Sequence, residues 1–386
     1  MNKVFLTGIT GLVGSAFAVA LLRERKDYEF VCLARPSGGK TAMERTAEII
    51  RDECAFDGCP EIADEVLSHI TAIEGDVTTI DPEAMAADPR LAGVNIVFHC
   101  AADVNLGKDP TGKVFRINYH GTENVVKLAQ LLKVKEFHYV GTAYIAGKLC
   151  GTAIEDNPVD NGFNNPYEES KFKAEFLVRN SGIPFSVYRP AIVTGRRCDG
   201  RIRKPLAFYR ILEFLGKFKS HGCSRAGVSP LEWINMPMTF ATIPSERVYF
   251  VPIDYVQEAI TALFQKPVTN TAYHITGDSP LTTKQIRDTI CGLLRIDGMT
   301  VGMDGDGKDT KLLARFIGDL FPYFSSDIIF DQTNVKKALG EEVLDWEYGT
   351  EGLEILIRSY FKDHYPEVEW IQTLAAAPLE RQPKDA

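Results

Sequence analysis

Tyr167 and Lys171 stand four residues apart, a spacing that puts two side chains on one face of a helix. Such a pair suits hydride transfer to a carbonyl, which leaves an alkoxide in need of a proton. A phenol can supply it once a nearby cation lowers its pKa from about 10. Pro166 suits the first turn of a helix, and Glu168, Glu169, Ala174 and Glu175 continue it, with acids near its start. A second pair, Tyr144/Lys148, follows a strand and is interrupted by Gly147. With 14 tyrosines, about one such match arises by chance, and we expect Tyr144/Lys148 to be that match. Thr142 ends the apolar run 137–140. It is expected at the carboxyl edge of a strand, its hydroxyl placed for the substrate oxygen.

A second constellation lies near the N-terminus. Gly8, Gly11 and Gly14 form Gly-x-x-Gly-x-x-Gly between an apolar run and a helical stretch. Gly8 permits a tight turn, Gly11 lets backbone approach a pyrophosphate, and Gly14 lets the helix pack on the sheet. With Thr10, Leu12 and Val13 they turn a helix N-terminus toward phosphate. The spacing differs from the usual Gly-x-Gly-x-x-Gly. The next strand ends Val31-Cys32-Leu33-Ala34-Arg35, without the acid that would bond a ribose 2′-hydroxyl. Arg35, assisted by Ser37 and Lys40, is expected to clamp a 2′-phosphate, so the expected cofactor is NADP(H).

The elements that must hold these residues alternate. Strands are expected at Lys3–Thr7, Phe30–Leu33, Ile70–Glu74, Ile96–Cys100, Glu136–Val140 and Phe185–Tyr188. Helices are expected at Leu12–Arg25, Met43–Cys54, Val114–Leu132 and Pro166–Asn180. The alternation predicts an α/β fold: a Rossmann-type doubly wound parallel sheet with a smaller, discontinuous, mostly helical C-terminal substrate domain. The expected division is a core over 1–194, with a returning segment at about 246–276, and a substrate or lid region over 195–245 and 277–386. A helix is expected over Lys204–Lys219, then an irregular stretch Gly222–Ser245. Strands follow at Val248–Val251 and Ala272–Ile275, and helices at Asp254–Phe264 and, with a Thr cap, Thr282–Leu294. Beyond Lys308 the pattern is mostly helical, with a frayed tail after Leu374. Arg201–Pro244 reads as a mobile lid and apolar wall, through Phe208, Leu212, Phe214, Leu215, Met236 and Met238. Arg197, Arg201, Arg203 and Lys204 would meet a phosphate at its entrance.

Composition narrows the class. The chain of 386 residues carries a net charge of −9 and 25% charged residues, a globular balance that argues against nucleic acid as partner. The N-terminal apolar run reads as the strand and helix of the phosphate loop rather than a leader, and no stretch is long enough to span a bilayer. Eight scattered cysteines without Cys-x-x-Cys fit free thiols and a cytoplasmic location, and the histidines show no ligand spacing, so no metal is expected.

Taken in order, the motifs resemble the extended short-chain dehydrogenase/reductase superfamily. They are Thr7–Gly14, Gly75-Asp76-Val77, His99-Cys100-Ala101-Ala102, Asn118–Thr122, Val140–Tyr144, Tyr167–Lys171 and Tyr188-Arg189-Pro190. The resemblance implies that Asp76 and Val77 approach the adenine and that Ala101 and Ala102 line the phosphate and ribose side. It makes Thr142, Tyr167 and Lys171 catalytic, Asn118 their support, and Pro190, Ala191, Ile192 and Val193 the loop beside the nicotinamide. The insert 36–69, His99–Asn105, Phe250–Val256 and Tyr273–Thr276 are similar to the thioester reductase, or male-sterility-type, branch. That implies NADPH-dependent reduction of an acyl thioester on CoA or a carrier protein, or of a related carbonyl. Without an Asp-Ser-Leu attachment triplet, the acyl group is expected on a partner or as a small molecule; a homodimer is left open. The alternatives are an NADP(H)-dependent sugar-nucleotide epimerase or dehydratase, a hydroxysteroid-like dehydrogenase, and a non-catalytic NADP(H) sensor. The aromatic and aliphatic residues over 208–240 favour an apolar substrate over a sugar diphosphate, and the Tyr/Lys pair argues against a sensor.

Overall fold

The computed structural model describes residues 1–379 apart from Pro244, Asp304, Asp306 and Asp345. Five apolar runs become the strands β1 (Asn2–Thr7), β2 (Tyr28–Ala34), β3 (Ile70–Glu74), β4 (Ile96–His99) and β5 (Glu136–Val140). With the later strands Phe185–Pro190 and Thr271–Ile275 they form one seven-stranded sheet, and every pairing in it is parallel. Both faces are covered, which explains why the strands read as continuous apolar runs. The order from one edge is Thr271–Ile275, Phe185–Pro190, β5, β4, β1, β2, β3. It reverses direction between β1 and β4, and a crevice opens beyond their carboxyl ends, as such sheets require.

Helices α1 (Leu12–Glu24) and α2 (Ala42–Phe56) follow β1 and β2. On the α1 face, Phe17 stacks on Phe98 of β4 with ring centroids 3.9 Å apart, and Phe264 closes on both. The expected helix Val114–Leu132 is helical over Lys113–Leu131 but holds a π-turn at Arg116–His120. Among the described residues no helix is long and apolar enough to cross a membrane.

The expected helix Lys204–Lys219 lies elsewhere, at Tyr209–Ala226. Ala207 takes φ +46, which breaks helical geometry just upstream. The C-terminal stop is Gly227 at φ +65. The supposed irregular stretch therefore opens with the last turn of that helix, over 222–226, and then forms the short strands Ile234–Asn235 and Thr239–Ala241. Leu212, Leu215, Met236 and Met238 are not a substrate wall. They are 0–3% exposed and sit in the core, where the apolar stripe of an amphipathic helix belongs. Phe214 packs on Phe218 and Phe316. Pro244 and the tail beyond 379 lie outside the described residues.

The C-terminal third is anchored on the sheet's edge. Strand Ile328–Phe330 pairs in parallel with Gly151–Ala153, and the helix Thr333–Leu339 lies against the edge strand, where Asn334 Nδ2 donates to the Ala272 carbonyl. Buried Glu155 joins the two. Its carboxylate accepts the His274 N–H at 2.8 Å and the Asn334 N–H at 2.5 Å. Burial pushes this carboxyl from its ordinary 4.5 up to about 7. The folded chain then holds a proton that the unfolded chain releases between pH 4.5 and 7, so this group's contribution to stability falls as pH rises across that window. Glu155→Gln should flatten that part of the stability curve in urea unfolding followed by circular dichroism. An unaltered slope would show that Glu155 titrates alike in both states.

Candidate active site

At the end of β1, Gly8 adopts φ +85, and a Cβ there would stand 2.6 Å from the Cys100 carbonyl carbon. A Cβ on Gly14 would meet the Gly8 carbonyl oxygen at 2.3 Å. Gly14 thus serves the turn itself rather than helix packing on the sheet. Gly11 N–H donates to that same oxygen at 2.9 Å, and Gly11 caps α1 with no side-chain partner for the first helical N–H groups. Those orphan donors face the crevice, as phosphate binding needs, and any side chain at these glycines would fill the cradle. A dinucleotide fits it.

Gly11, Leu12 and Val13 border a cavity of about 900 Å³ whose lining also takes in Thr142, Tyr167, Lys171 and the whole run Pro190–Val193. Tyr167 and Lys171 lie on the helix Pro166–Arg179, capped by Asn165, whose Oδ1 accepts the Glu168 N–H at 3.0 Å. Thr142 stands two residues past β5, is 4% exposed, and its hydroxyl donates to the Pro190 carbonyl at 3.5 Å and accepts the Tyr144 N–H at 3.3 Å. Lys171 Nζ donates to the Val140 carbonyl at 2.7 Å and sits 4.3 Å from the centre of the Tyr139 ring. Burial brings its ammonium down to about 8. Burial also pushes the Tyr167 phenol up to about 12, with the Thr142 hydroxyl opposing. The expected lowering of the phenol is therefore absent here: Lys171 spends its contacts on Val140 and Tyr139, and burial keeps the Tyr167 phenol protonated.

Tyr144 and Lys148 are not a pair of this kind. Tyr144 lies in a single 3-10 turn that Gly147 ends at φ +60, and Lys148 is exposed. Tyr144 does reach the cavity, edge-on to Tyr323 with centroids 4.7 Å apart.

A run of buried hydrogen bonds connects the two constellations. Ala101 N–H donates to Thr7 Oγ1 (3.3 Å), and Thr7 Oγ1 lies 2.6 Å from His99 Nδ1. His99 Nε2 lies 2.8 Å from Thr122 Oγ1, which donates to the Asn118 carbonyl at 2.6 Å. Asn118, in the π-turn, donates to Ser170 Oγ at 3.0 Å and to the Asp103 carbonyl at 2.9 Å. Ser170 Oγ donates to the Tyr167 carbonyl. The directions are consistent only for a neutral His99 that carries its proton on Nε2, and burial holds its pKa down to about 3. Ala101 enters through its backbone, while Ala102 lines the cavity.

At the far end of the crevice, Arg35 meets Asp76 at 3.3 Å and keeps a side chain 64% exposed. Burial pushes Asp76 up, but hydrogen bonds from Thr78 and Arg35 hold it below the usual carboxylate range. Val77 packs under Gly121, where a Cβ would come within 2.7 Å of it. Lys40 is engaged by Glu48 at 2.7 and 2.8 Å, and Ser37 is bridged to Lys40 through backbone. The cation that does accompany Arg35 is Arg45 of α2, which donates to the Arg35 carbonyl. Sequence reasoning missed it, although its place one turn into a predicted helix was a usable signal.

The basic cluster also separates. Arg197 pairs with Asp254 and Glu258, and Arg201 with Asp363. Arg203 turns inward to Glu53 (2.9 Å) and Ser15 (2.6 Å). Lys204 alone lines the cavity, in company with exposed Lys108 and Arg315. The apolar wall is Leu206, Phe208, Phe316, Leu320 and Phe324. Among the described residues no group of His, Cys, Asp or Glu side chains is arranged to hold a metal ion.

If Tyr167 is the proton donor, Tyr167→Phe should lower kcat by about a hundredfold to ten-thousandfold with cofactor binding preserved. Tyr144→Phe, measured side by side, should retain most turnover; the reverse ranking would transfer the role to Tyr144.

Comparison with known proteins follows the same lines. Over 291 residues the chain is 27% identical to aldehyde reductase lnaA of Aspergillus flavus, covering 71% of this chain and 25% of that protein. Over 286 residues it is 28% identical to a carboxylic acid reductase of Segniliparus rugosus, covering 68% of this chain and 23% of that one. The chain thus spans about a quarter of the length of these relatives. Among solved structures, the terminal R domain from the myxalamid PKS-NRPS biosynthetic pathway superposes with a TM-score of 0.71 at 20% identity, over 96% of this chain and 92% of that one. The profile of the male sterility protein family, an NAD-binding domain, matches residues 6–260, and this chain belongs to that family.

Proposed function

We propose that this chain is a reductase of acyl thioesters, carried on CoA or on a carrier protein, with NADPH as hydride donor and Tyr167 as proton donor. The observation that carries this reading is the shared cavity. One space of about 900 Å³ contains the phosphate-loop backbone, Thr142, Tyr167 and Lys171, and an apolar wall. The printed descriptions of the relatives, an aldehyde reductase and a carboxylic acid reductase, point the same way. In this reading 1–194 and the returning segment hold the cofactor, and 195–245 and 277–386 shape the substrate side.

Bound NADPH would supply the hydride, with Pro190–Val193 as the wall beside its nicotinamide and Lys171 on the ribose side. Tyr167 would give its proton to the substrate's carbonyl oxygen as the carbonyl carbon is reduced, with Thr142 lining the same cavity. The hemithioacetal so formed would return its hydroxyl proton to Tyr167 and release the thiolate, which takes a proton from solvent, leaving an aldehyde. Lys204, Lys108 and Arg315 carry positive charge to the cavity lining, where the phosphate of a CoA or carrier arm would be met. Arg35, with Arg45 beside it, would hold the 2′-phosphate of NADPH.

Two measurements test this reading. Arg35→Asp should weaken NADPH binding by about tenfold to a hundredfold and spare NADH; equal affinity of the unaltered chain for both cofactors would refute the preference. Thioesters of graded chain length should show kcat/KM rising by up to about 0.8 kcal/mol per methylene until the wall is filled. Turnover of a nucleotide sugar with no thioester reduction would overturn the acyl assignment.

A further inference from the structure

The helix that carries Tyr167 begins in an unusual way. Asn165 caps it and Glu168 stands three residues on, the positions of a capping box. In the usual box the glutamate reaches back to the cap residue's own N–H from an exposed position. Here it reaches one residue further, to the Asn164 N–H at 2.8 Å and Asn164 Nδ2 at 3.2 Å, and it is 1% exposed. The cap residue is held in turn from far downstream. The Tyr323 hydroxyl accepts from Asn165 Nδ2 at 2.8 Å. Tyr323 is 4% exposed and lies on the 3-10 segment Gly318–Phe324, which also supplies Asp319, Leu320 and Phe324 to the cavity lining.

We propose that Tyr323 and the cap Asn165 are a positioning pair, through which the C-terminal segment that builds the acyl wall also fixes the first helical turn bearing Tyr167. Tyr323 holds Asn165, and Asn165 accepts the Glu168 N–H, so the two capping residues flank Tyr167 in sequence. A shift of this turn moves the phenol against Thr142, which is anchored separately at the end of β5. Removing the Tyr323 hydroxyl leaves its ring against Tyr144 and so leaves the wall in place. The pair thus acts on proton transfer and not on the shape of the pocket. This role extends the reductase reading, but the geometry at the helix start exists whatever carbonyl is reduced.

The charge on Glu168 adds a second signature. It faces Tyr167, Tyr323, Asn164, Asn165, Tyr144 and, at longer range, Lys148. Tyr167 in turn faces Thr142, Glu168, Cys100 and Tyr139, with Lys171 on its own helix. The carboxylate adds to the burial that raises the phenol.

The test uses the full chain with NADPH bound. Tyr323→Phe should speed backbone amide exchange of residues 167–170 by about tenfold, the loss of the one hydrogen bond that holds the cap Asn165, with exchange in β1 to β5 unaltered. In turnover, the same variant should lower kcat about tenfold while the KM for the carbonyl substrate and the Kd for NADPH hold. Glu168→Gln keeps an acceptor for Asn164 and leaves the Tyr323–Asn165 bond in place, so it should retain most of kcat, but its alkaline limb should move to lower pH. Unaltered exchange at 167–170 in Tyr323→Phe would overturn the proposal, as would a loss of NADPH affinity equal to the loss in kcat. The exchange measurement needs no substrate, so it stands even if thioesters prove not to be reduced.

Discussion

A single run of buried hydrogen bonds, from the Ala101 amide through Thr7, His99, Thr122, Asn118 and Ser170 to the Tyr167 carbonyl, is the constraint on which the site depends. Thr7 and His99 end the two strands between which the sheet reverses direction. Each member is at most 1% exposed where it is a polar side chain, so none can exchange its partner for water, and a broken link leaves an unpaired polar group in a low-dielectric interior. The phosphate loop and the helix bearing Tyr167 therefore keep one register. The π-turn at Arg116–His120 is part of this constraint. It inserts the extra residue that lets Asn118 point both at the loop after β4 and at Ser170, and such turns concentrate at functional sites.

A second buried cluster holds the other end of the catalytic helix. Arg189 pairs with Glu175 through two bonds, at 2.9 and 2.6 Å, and also donates to the Glu155 carbonyl. Its remaining contact is His274 Nε2 at 3.1 Å, whose Nδ1 faces the Asp331 carbonyl. His274, like His99, is kept neutral by burial, with its pKa down to about 3. Loss of either partner of such an ion pair costs about 3–5 kcal/mol, because the remaining charge stays buried. The helix bearing Tyr167 is thus fastened to the C-terminal segment at its start and to the sheet at its middle and its far end.

Electrostatics inside the cavity divide the labour. Burial raises the Tyr167 phenol and lowers the Lys171 ammonium, which moves their proton affinities apart and keeps the phenol protonated. A neutral phenol is the form that gives a proton to a developing alkoxide. The ammonium, already partnered by the Val140 carbonyl, is available to the ribose side without leaving the helix face. Arg203 plays a structural part at the same cradle. It binds Glu53 and Ser15 beneath the phosphate loop and so ties that loop to the segment leading into the apolar wall.

The phosphate loop, the alternation of strands and helices, and the placement of Tyr167 and Lys171 on one helix were legible in the amino-acid sequence, because each is local. A glycine forced to positive φ, a four-residue helical spacing and a period of strand and helix all lie within a few neighbouring residues. The wall of the pocket was not legible. Leu212, Leu215, Met236 and Met238 have the composition of a substrate surface, yet they pack inside, while Phe316, Leu320 and Phe324 arrive from over a hundred residues away. Composition does not say which side of a helix meets the core. Partner choice among charges was equally hidden: Arg197, Arg201 and Arg203 find acids distant in the chain, and Lys204 does not. The direction of the Tyr167 shift, too, belonged to the tertiary structure alone. Spacing places a cation near the phenol, but desolvation depends on everything packed around both, and here burial outweighs the neighbour.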